Sequence, residues 1–232
     1  MDEIVSGVAE AFKLIGNLDP EVRKIALFSL QVSGLALFLA ALAAIPYGVW
    51  LAFARFPGRR LLIGLTYAGM AFPTVVVGLV VFLFLSRNGP LGFLDWLFTP
   101  LAIIVAQFFI AFPVIASLTM GAIMGLNPAM RLQLRSLGAT RWQTSIALLK
   151  EARVAMIVAL AAAFGRVITE VGAVLIVGGN IAGQTRVFTT AIILETRKGA
   201  FEAAIALGII LLLTSLTFTL LATRLQGKAL SR

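Results

Sequence analysis

Apolar residues dominate five stretches of this chain, near Ile25–Ala54, Leu61–Leu85, Leu101–Met124, Val154–Val177 and Ala203–Ala222, and polar residues collect in the segments between them. Each stretch reaches the roughly 20 residues that a helix needs to cross about 30 Å of hydrocarbon. Within lipid the backbone must satisfy its own hydrogen bonds, so the pattern predicts an all-α polytopic bundle with five core spans. Ahead of them, Ile4, Val5, Val8, Phe12 and Ile15 recur at helical spacing and predict an N-terminal amphipathic helix on the membrane surface over residues 1–20. Asp19-Pro20 breaks it from the first span, and whether residues 1–18 lie flat or add a partial span stays open. The transmembrane domain then covers residues 21–225, and residues 226–232 form a tail. A cleavable signal is not expected, because the first residues are acidic and the first apolar run is too long.

The polar interruptions carry the rest of the information. Pro46, Pro73 and Pro113 fall inside predicted spans, where proline frees a backbone carbonyl and kinks the helix. The triplet Ala-Phe-Pro occurs at Ala71–Pro73 and again at Ala111–Pro113, too little shared sequence to count as a repeat. Between the third and fourth spans, Asn127-Pro128 signals a helix start, Gly138 permits a turn, and Thr140 is placed to cap a second helix through Trp142 and Ile146. The segment reads as helix–glycine–helix with alternating basic and apolar residues, either an ordinary surface loop or a surface on which another protein pushes.

In the fourth span, Arg166 and Glu170 stand four residues apart, one turn along a shared face of a continuous helix. Each charge costs about 2.5–3.5 kcal/mol at the centre of a lone helix, so the two are expected to pair. Two readings stay open: an ion pair that orients the helix, or a pair beside a transport path whose partners exchange between states. The following Gly178–Arg186 has glycines at Gly178, Gly179 and Gly183 and a threonine at Thr185, but Gln184 stands where a phosphate-binding loop needs lysine. It reads instead as the unwound end of a span, followed by a helix Thr189–Arg197. Asn180, Thr185, Arg186 and Thr190 are donors suited to a tetrahedral oxyanion. For Arg186 a salt bridge, to Glu195 or to a partner protein, is the competing role.

Composition narrows the function classes. The 232 residues are 60% hydrophobic and 12% charged, with a mean hydropathy of +1.03. Cysteine and histidine are absent, which removes disulfides, thiolate and imidazole metal sites and the commonest general acid–base group. The net charge of +9 would suggest nucleic acid in a soluble chain, but topology accounts for it. Arg55, Arg59 and Arg60, then Arg131, Arg135, Arg141, Lys150 and Arg153, then Arg224, Lys228 and Arg232 fall on one side of the predicted spans. The positive-inside rule makes that side cytoplasmic and puts the N terminus outside and the C terminus inside.

Pro73–Gly78, the segment Arg135–Trp142 around Gly138, and Arg166, Glu170, Gly172-Ala173, Gly179-Asn180-Ile181, Gly183 and Thr185 together resemble permeases of molybdate/tungstate-type ABC importers, the tungstate branch above all through Gly178–Ile192. The similarity runs from about residue 25 to 222; at Leu132-Gln133-Leu134 and Lys150-Glu151 the chain departs from the family pattern. The resemblance implies a MetI-like fold in a prokaryotic cell (inner) membrane. It implies a second copy of the chain, two ATP-binding cassette subunits that hold the ATP and magnesium, and an external oxyanion-binding protein. It makes 127–150 a coupling loop whose ATPase contacts centre on Arg135, Leu137, Gly138, Ala139 and Arg141, and it places Arg166, Glu170, Asn180, Thr185, Arg186 and Thr190 along the transport path. No cofactor or metal and no catalytic activity of its own is expected. The chief competing class is an ion-coupled secondary transporter, which also uses buried charge pairs and kinked helices but leaves the Gly138 segment without a task.

Overall fold

The computed structural model describes residues 5–9, 13 and 20–230, apart from the side chains of 225 and 227–230. Most of the expected surface helix over residues 1–20 therefore lies outside the described residues; residues 5–9 are helical. From Pro20 on, ten α-helices follow one another among the described residues, with a 3-10 turn at Gly92–Leu94: α1 Pro20–Phe53, α2 Arg59–Met70, α3 Thr74–Leu85, α4 Pro100–Met124, α5 Pro128–Ser136, α6 Arg141–Glu151, α7 Arg153–Ile168, α8 Gly172–Gly178, α9 Phe188–Arg197 and α10 Phe201–Leu230. No strand occurs among the described residues.

Among the described residues, only α1, α4 and α10 are single helices long and apolar enough to cross a membrane. The expected second and fourth spans are each broken. Helices α2 and α3 meet at 102°, and α7 and α8 at 57°. The first break corrects the expected kink at Pro73. Twelve residues rise only about 18 Å, so neither α2 nor α3 crosses alone. Proline disfavours helix in the residue before it, and here that residue is Phe72, which completes the turn Ala71–Pro73. Pro46 and Pro113 by contrast stay within α1 and α4.

Helix α4 is the hub. It packs on α1, α2, α3, α7 and α8, and its alanines Ala102, Ala106, Ala111 and Ala116 are fully buried in the main core with Ala36, Ala40 and Ala44 of α1. Small residues let apolar helices approach closely where lipid supplies no hydrophobic drive between them. Polar side chains tie the same helices together. Gln107 of α4 donates to Ser33 Oγ of α1 at 3.2 Å and to the Val167 carbonyl of α7 at 3.0 Å. Ser117 of α4 donates to the Thr66 carbonyl at 3.1 Å, and the Thr66 hydroxyl lies 3.0 Å from the Tyr47 hydroxyl of α1. In hydrocarbon each such bond contributes roughly 0.6–2 kcal/mol and fixes register more than it adds stability.

The two short half-helices α3 and α8 lie against each other. A Cβ built on Gly78 would stand 2.5 Å from Ala173 Cα, and one on Gly172 would stand 2.6 Å from Val75 Cγ2. The backbones themselves are in contact at Gly78, which is what a glycine in an otherwise β-branched apolar run supplies.

Candidate functional site

At one end of the bundle the chain builds a helical hairpin. Asn127 caps α5 by accepting from the Ala129 amide at 2.9 Å, with Pro128 at the first helical position. Helix α5 ends at Ser136; Gly138, two residues on, has a φ of +84° in the left-handed region, and the Ala139 amide closes back on the Leu134 carbonyl at 3.0 Å. Thr140 opens α6 with a reciprocal cap: Gln143 N donates to Thr140 Oγ1, and Thr140 N donates to Gln143 Oε1 at 2.8 Å. Thr144 and Leu148 root α6 in the bundle, Leu148 in a small core with Val49, Ile123 and Ala152. The outer surface is different in kind. Leu137 is 85% exposed and Trp142 73%, with Arg135 and Arg141 exposed beside them and Ala139 half-buried. The sequence-predicted residues Arg135, Leu137, Gly138, Ala139 and Arg141 are thus brought together on one rigid turn.

The second constellation lies at the α7–α8 break. The expected Arg166–Glu170 pair does not form, and this corrects the reading of a continuous helix. Helix α7 ends at Ile168, so the i, i+4 relation fails between the two residues. Among the described residues no ion pair joins them. Glu170, 7% exposed, instead accepts from the Ala173 amide at 3.0 Å and so caps the first turn of α8, while its carbonyl accepts from Thr189 Oγ1 at 2.8 Å. Arg166 points the other way. Val158, Ala162, Arg166 and Thr169 form the exposed face of α7, and Ala159, Ala163, Phe164, Val167 and Ile168 its buried one. Arg166 stands about 20 Å along α7 from its start, a depth at which a cation must meet water or another protein.

Because Glu170 acts through its Oε1 as an acceptor, glutamine can replace it. Glu170→Gln should keep the cap and shift thermal stability by less than about 1 kcal/mol, whereas Glu170→Ala should lose about 0.5–2 kcal/mol. Unfolding midpoints of both variants in detergent check this; equal losses would return Glu170 to an ion pair.

The loop 178–187 is scaffold more than donor surface. Gly179 and Gly183 have φ of +69° and +72°, and Asn180 has φ of +53°. Thr185 is fully buried; its hydroxyl donates to the Gly178 carbonyl at 2.5 Å and accepts from the Ile181 amide at 2.9 Å. Thr190, also fully buried, accepts from the Val187 amide at 3.1 Å, and Asn180 Nδ2 donates to the Thr190 carbonyl at 3.3 Å. Helix α9 is inserted against α10 and α1, with the Phe188 amide donating to Ser29 Oγ of α1 at 3.0 Å. Arg186 pairs with Glu21 at the start of α1 at 3.5 Å rather than with Glu195, which pairs with Lys198 at 2.9 Å. Arg166 is exposed on α7, whereas the Thr185 and Thr190 hydroxyls are fully buried and taken up by backbone groups of their own loop. Gln107 and Ser29, which hold the break and α9 in place, were not singled out from sequence. A lone amide in an apolar span is the signal that points to the first; a serine near a span's start is too common to mark the second.

The family model for binding-protein-dependent transport system inner membrane components matches residues 44–230. The chain belongs to that family. The permease is 38% identical to the tungstate uptake system permease protein TupB of Peptoclostridium acidaminophilum, over 97% of this chain and 99% of TupB. It is 42% identical to a probable anion ABC transporter permease protein of Haloferax volcanii, over 88% and 90% of the two chains. Among solved structures, a bacterial alginate ABC transporter in complex with an alginate-loaded periplasmic protein superposes on 96% of the permease and 86% of its own chain, with a TM-score of 0.77 at 23% identity. That likeness carries the fold, an all-α transmembrane bundle.

Proposed function

We propose that this permease is the transmembrane subunit of an ATP-driven importer for a tetrahedral oxyanion, tungstate or molybdate. Two copies enclose the path, two separate ATPase subunits dock on the α5–α6 hairpins, and an external binding protein delivers the anion at the α9 end. The N terminus lies outside and the C terminus in the cytoplasm. The observation that carries the reading is Arg166: an exposed guanidinium on a small-residue face of a span, its neighbouring carboxylate engaged elsewhere. A lone anion would be repelled by Glu170 were that carboxylate on the same face. The relatives named for tungstate and for anions agree with a cationic path.

In this reading Arg166 offers charge to the passing dianion without gripping it, since a tight site would slow release. The energy comes from the ATPases, whose closure the hairpin transmits to the bundle through α6 and α7. Glu170 holds the α7–α8 break, and Arg186 clasps the external loop to α1 through Glu21.

The test is uptake of tungstate and molybdate by proteoliposomes holding the permease with its ATPase and loaded binding protein. Uptake should require ATP and all three components. Arg166→Gln should lower the maximal rate about fivefold, the effect of about 1 kcal/mol for one charge pair in a water-like medium, with the concentration of binding protein at half rate unchanged. Uptake by the permease alone, driven by an ion gradient, would instead establish a secondary transporter.

A further inference from the structure

At the end of the bundle that carries the hairpin, the α1–α2 turn and the start of α5 enclose an open cleft of about 550 Å³ lined by Arg55, Arg59, Arg60 and Arg131. It continues into a wider groove of about 1200 Å³ that Arg135 and Arg141 also line. Neither lining contains an aspartate or glutamate.

The arginines have distinct tasks. Arg59 is fixed: its Nε donates to the Leu51 carbonyl at 3.0 Å and its Nη2 to the Ala52 carbonyl at 3.1 Å, closing the last turn of α1. Arg131 lies with its guanidinium carbon 4.3 Å above the Phe53 ring centroid, held flat by a cation–π contact. Burial, then the charges of Arg135, Arg55 and Arg141, push the Arg131 guanidinium below the usual arginine range. Arg55 and Arg60 are exposed at the rim. Like charges gathered so closely repel, and no carboxylate in either lining offsets them.

The neighbourhood indicates what does. Trp50 and Phe56 stack at 5.5 Å beside the cleft, an aromatic pair at the point where the apolar run of α1 ends. Aromatic rings of this kind sit at headgroup level. Leu61, immediately after Arg60, is 69% exposed, and Leu65 one turn on is 54% exposed, so the rim arginine borders a surface that faces acyl chains. Basic pockets at the membrane boundary recognise anionic headgroups.

We propose that this cleft binds the phosphate of an anionic phospholipid, with Arg55, Arg60 and Arg131 as its donors and the Trp50–Phe56 stack against the lipid's glycerol and acyl portion. The bound phosphate draws α5, which carries Arg131, onto the α1–α2 turn, and so holds the root of the hairpin to the bundle. Neither Arg166 nor any residue of 178–190 lines the cleft or the groove, so the proposed lipid site does not depend on which solute is carried.

The experiment uses the intact permease–ATPase complex in nanodiscs of phosphatidylcholine, with or without phosphatidylglycerol. Native mass spectrometry should find phosphatidylglycerol retained on the wild-type complex at least tenfold above its share of the bilayer, and thermal unfolding should shift upward by several degrees when it is present. The variant R55Q/R60Q/R131Q should lose both effects, while Lys150→Gln, which removes a charge outside the cleft, should keep them. If the triple variant does not fold, Arg60→Gln alone, at an exposed residue, should halve the retention or more. Retention of the two lipids in proportion to the bilayer overturns the proposal whatever the variants do. Inorganic phosphate giving the same thermal shift in pure phosphatidylcholine overturns the lipid as occupant and makes a free oxyanion the ligand. Unchanged lipid retention with weakened ATPase capture in the variant overturns it in favour of a protein contact.

Discussion

Gly138→Val is expected to reduce substrate-stimulated ATP hydrolysis and uptake by about tenfold or more while the protein still inserts and unfolds at a near-normal temperature. The side chain itself has room, since a Cβ at this position meets nothing within 4 Å. The penalty is conformational. At φ +84° an L-residue is disfavoured by roughly 1–2 kcal/mol, and a β-branched one by more, a five- to thirtyfold shift against this turn. Helices α5 and α6 are short and would persist, but their mutual angle would change, carrying Leu137 and Trp142 away from one another. Gly138→Asn is the control, because asparagine tolerates left-handed backbone and should retain most activity. Coupling ratios of ATP hydrolysed to solute moved, measured for both variants, decide the matter. Equal behaviour of the two would mean that the turn's backbone does not set the docking geometry.

Gly78→Leu should have the largest effect on the fold. Its Cβ alone would fall 2.5 Å from Ala173 Cα and 2.9 Å from Ala173 Cβ, against backbone that cannot rotate aside. Overpacking of this kind costs typically 1–3 kcal/mol, and more where two backbones must separate. We expect little folded protein in detergent from Gly78→Leu and a clear drop in unfolding midpoint for Gly78→Ala. Gly34→Leu, at a position where a Cβ meets nothing within 4 Å, should fold normally. Normal stability of Gly78→Ala would show that α3 and α8 can part without loss.

How much of this was legible beforehand follows from the range of each interaction. The hairpin was, because every signal in it is local: Asn127, Pro128, Gly138, Thr140 and Gln143 each act on groups only a few residues away in the chain. The apolar stretches were visible too, since hydropathy reports composition directly. Their breaks were not. Pro73 announces some distortion, but whether it produces a slight kink or a 102° turn depends on what receives α3, and that partner is Ala173, nearly a hundred residues on. The Arg166–Glu170 pair failed for the same reason. Helical spacing made them neighbours, yet Gln107 of α4 and Thr189 of α9 occupy the Val167 and Glu170 carbonyls at the break, from 60 and 19 positions away. For Arg186 the sequence offers the anion, a partner protein or Glu195; in the structure it pairs with Glu21, 165 positions away.

The contact between Gly78 and Ala173 also limits how the molecule can move. Two backbones seated this closely have no space for a side chain at residue 78 between them, so either can shift far only by displacing the other. Helices α3 and α8 are therefore geared together, like teeth already meshed, and any rearrangement at their end of the bundle must carry both as one body. The helices themselves are interrupted at Ala71–Pro73 and at Thr169–Val171, where the backbone leaves the helical path. A stroke begun on one arm is thus delivered to the other without backlash.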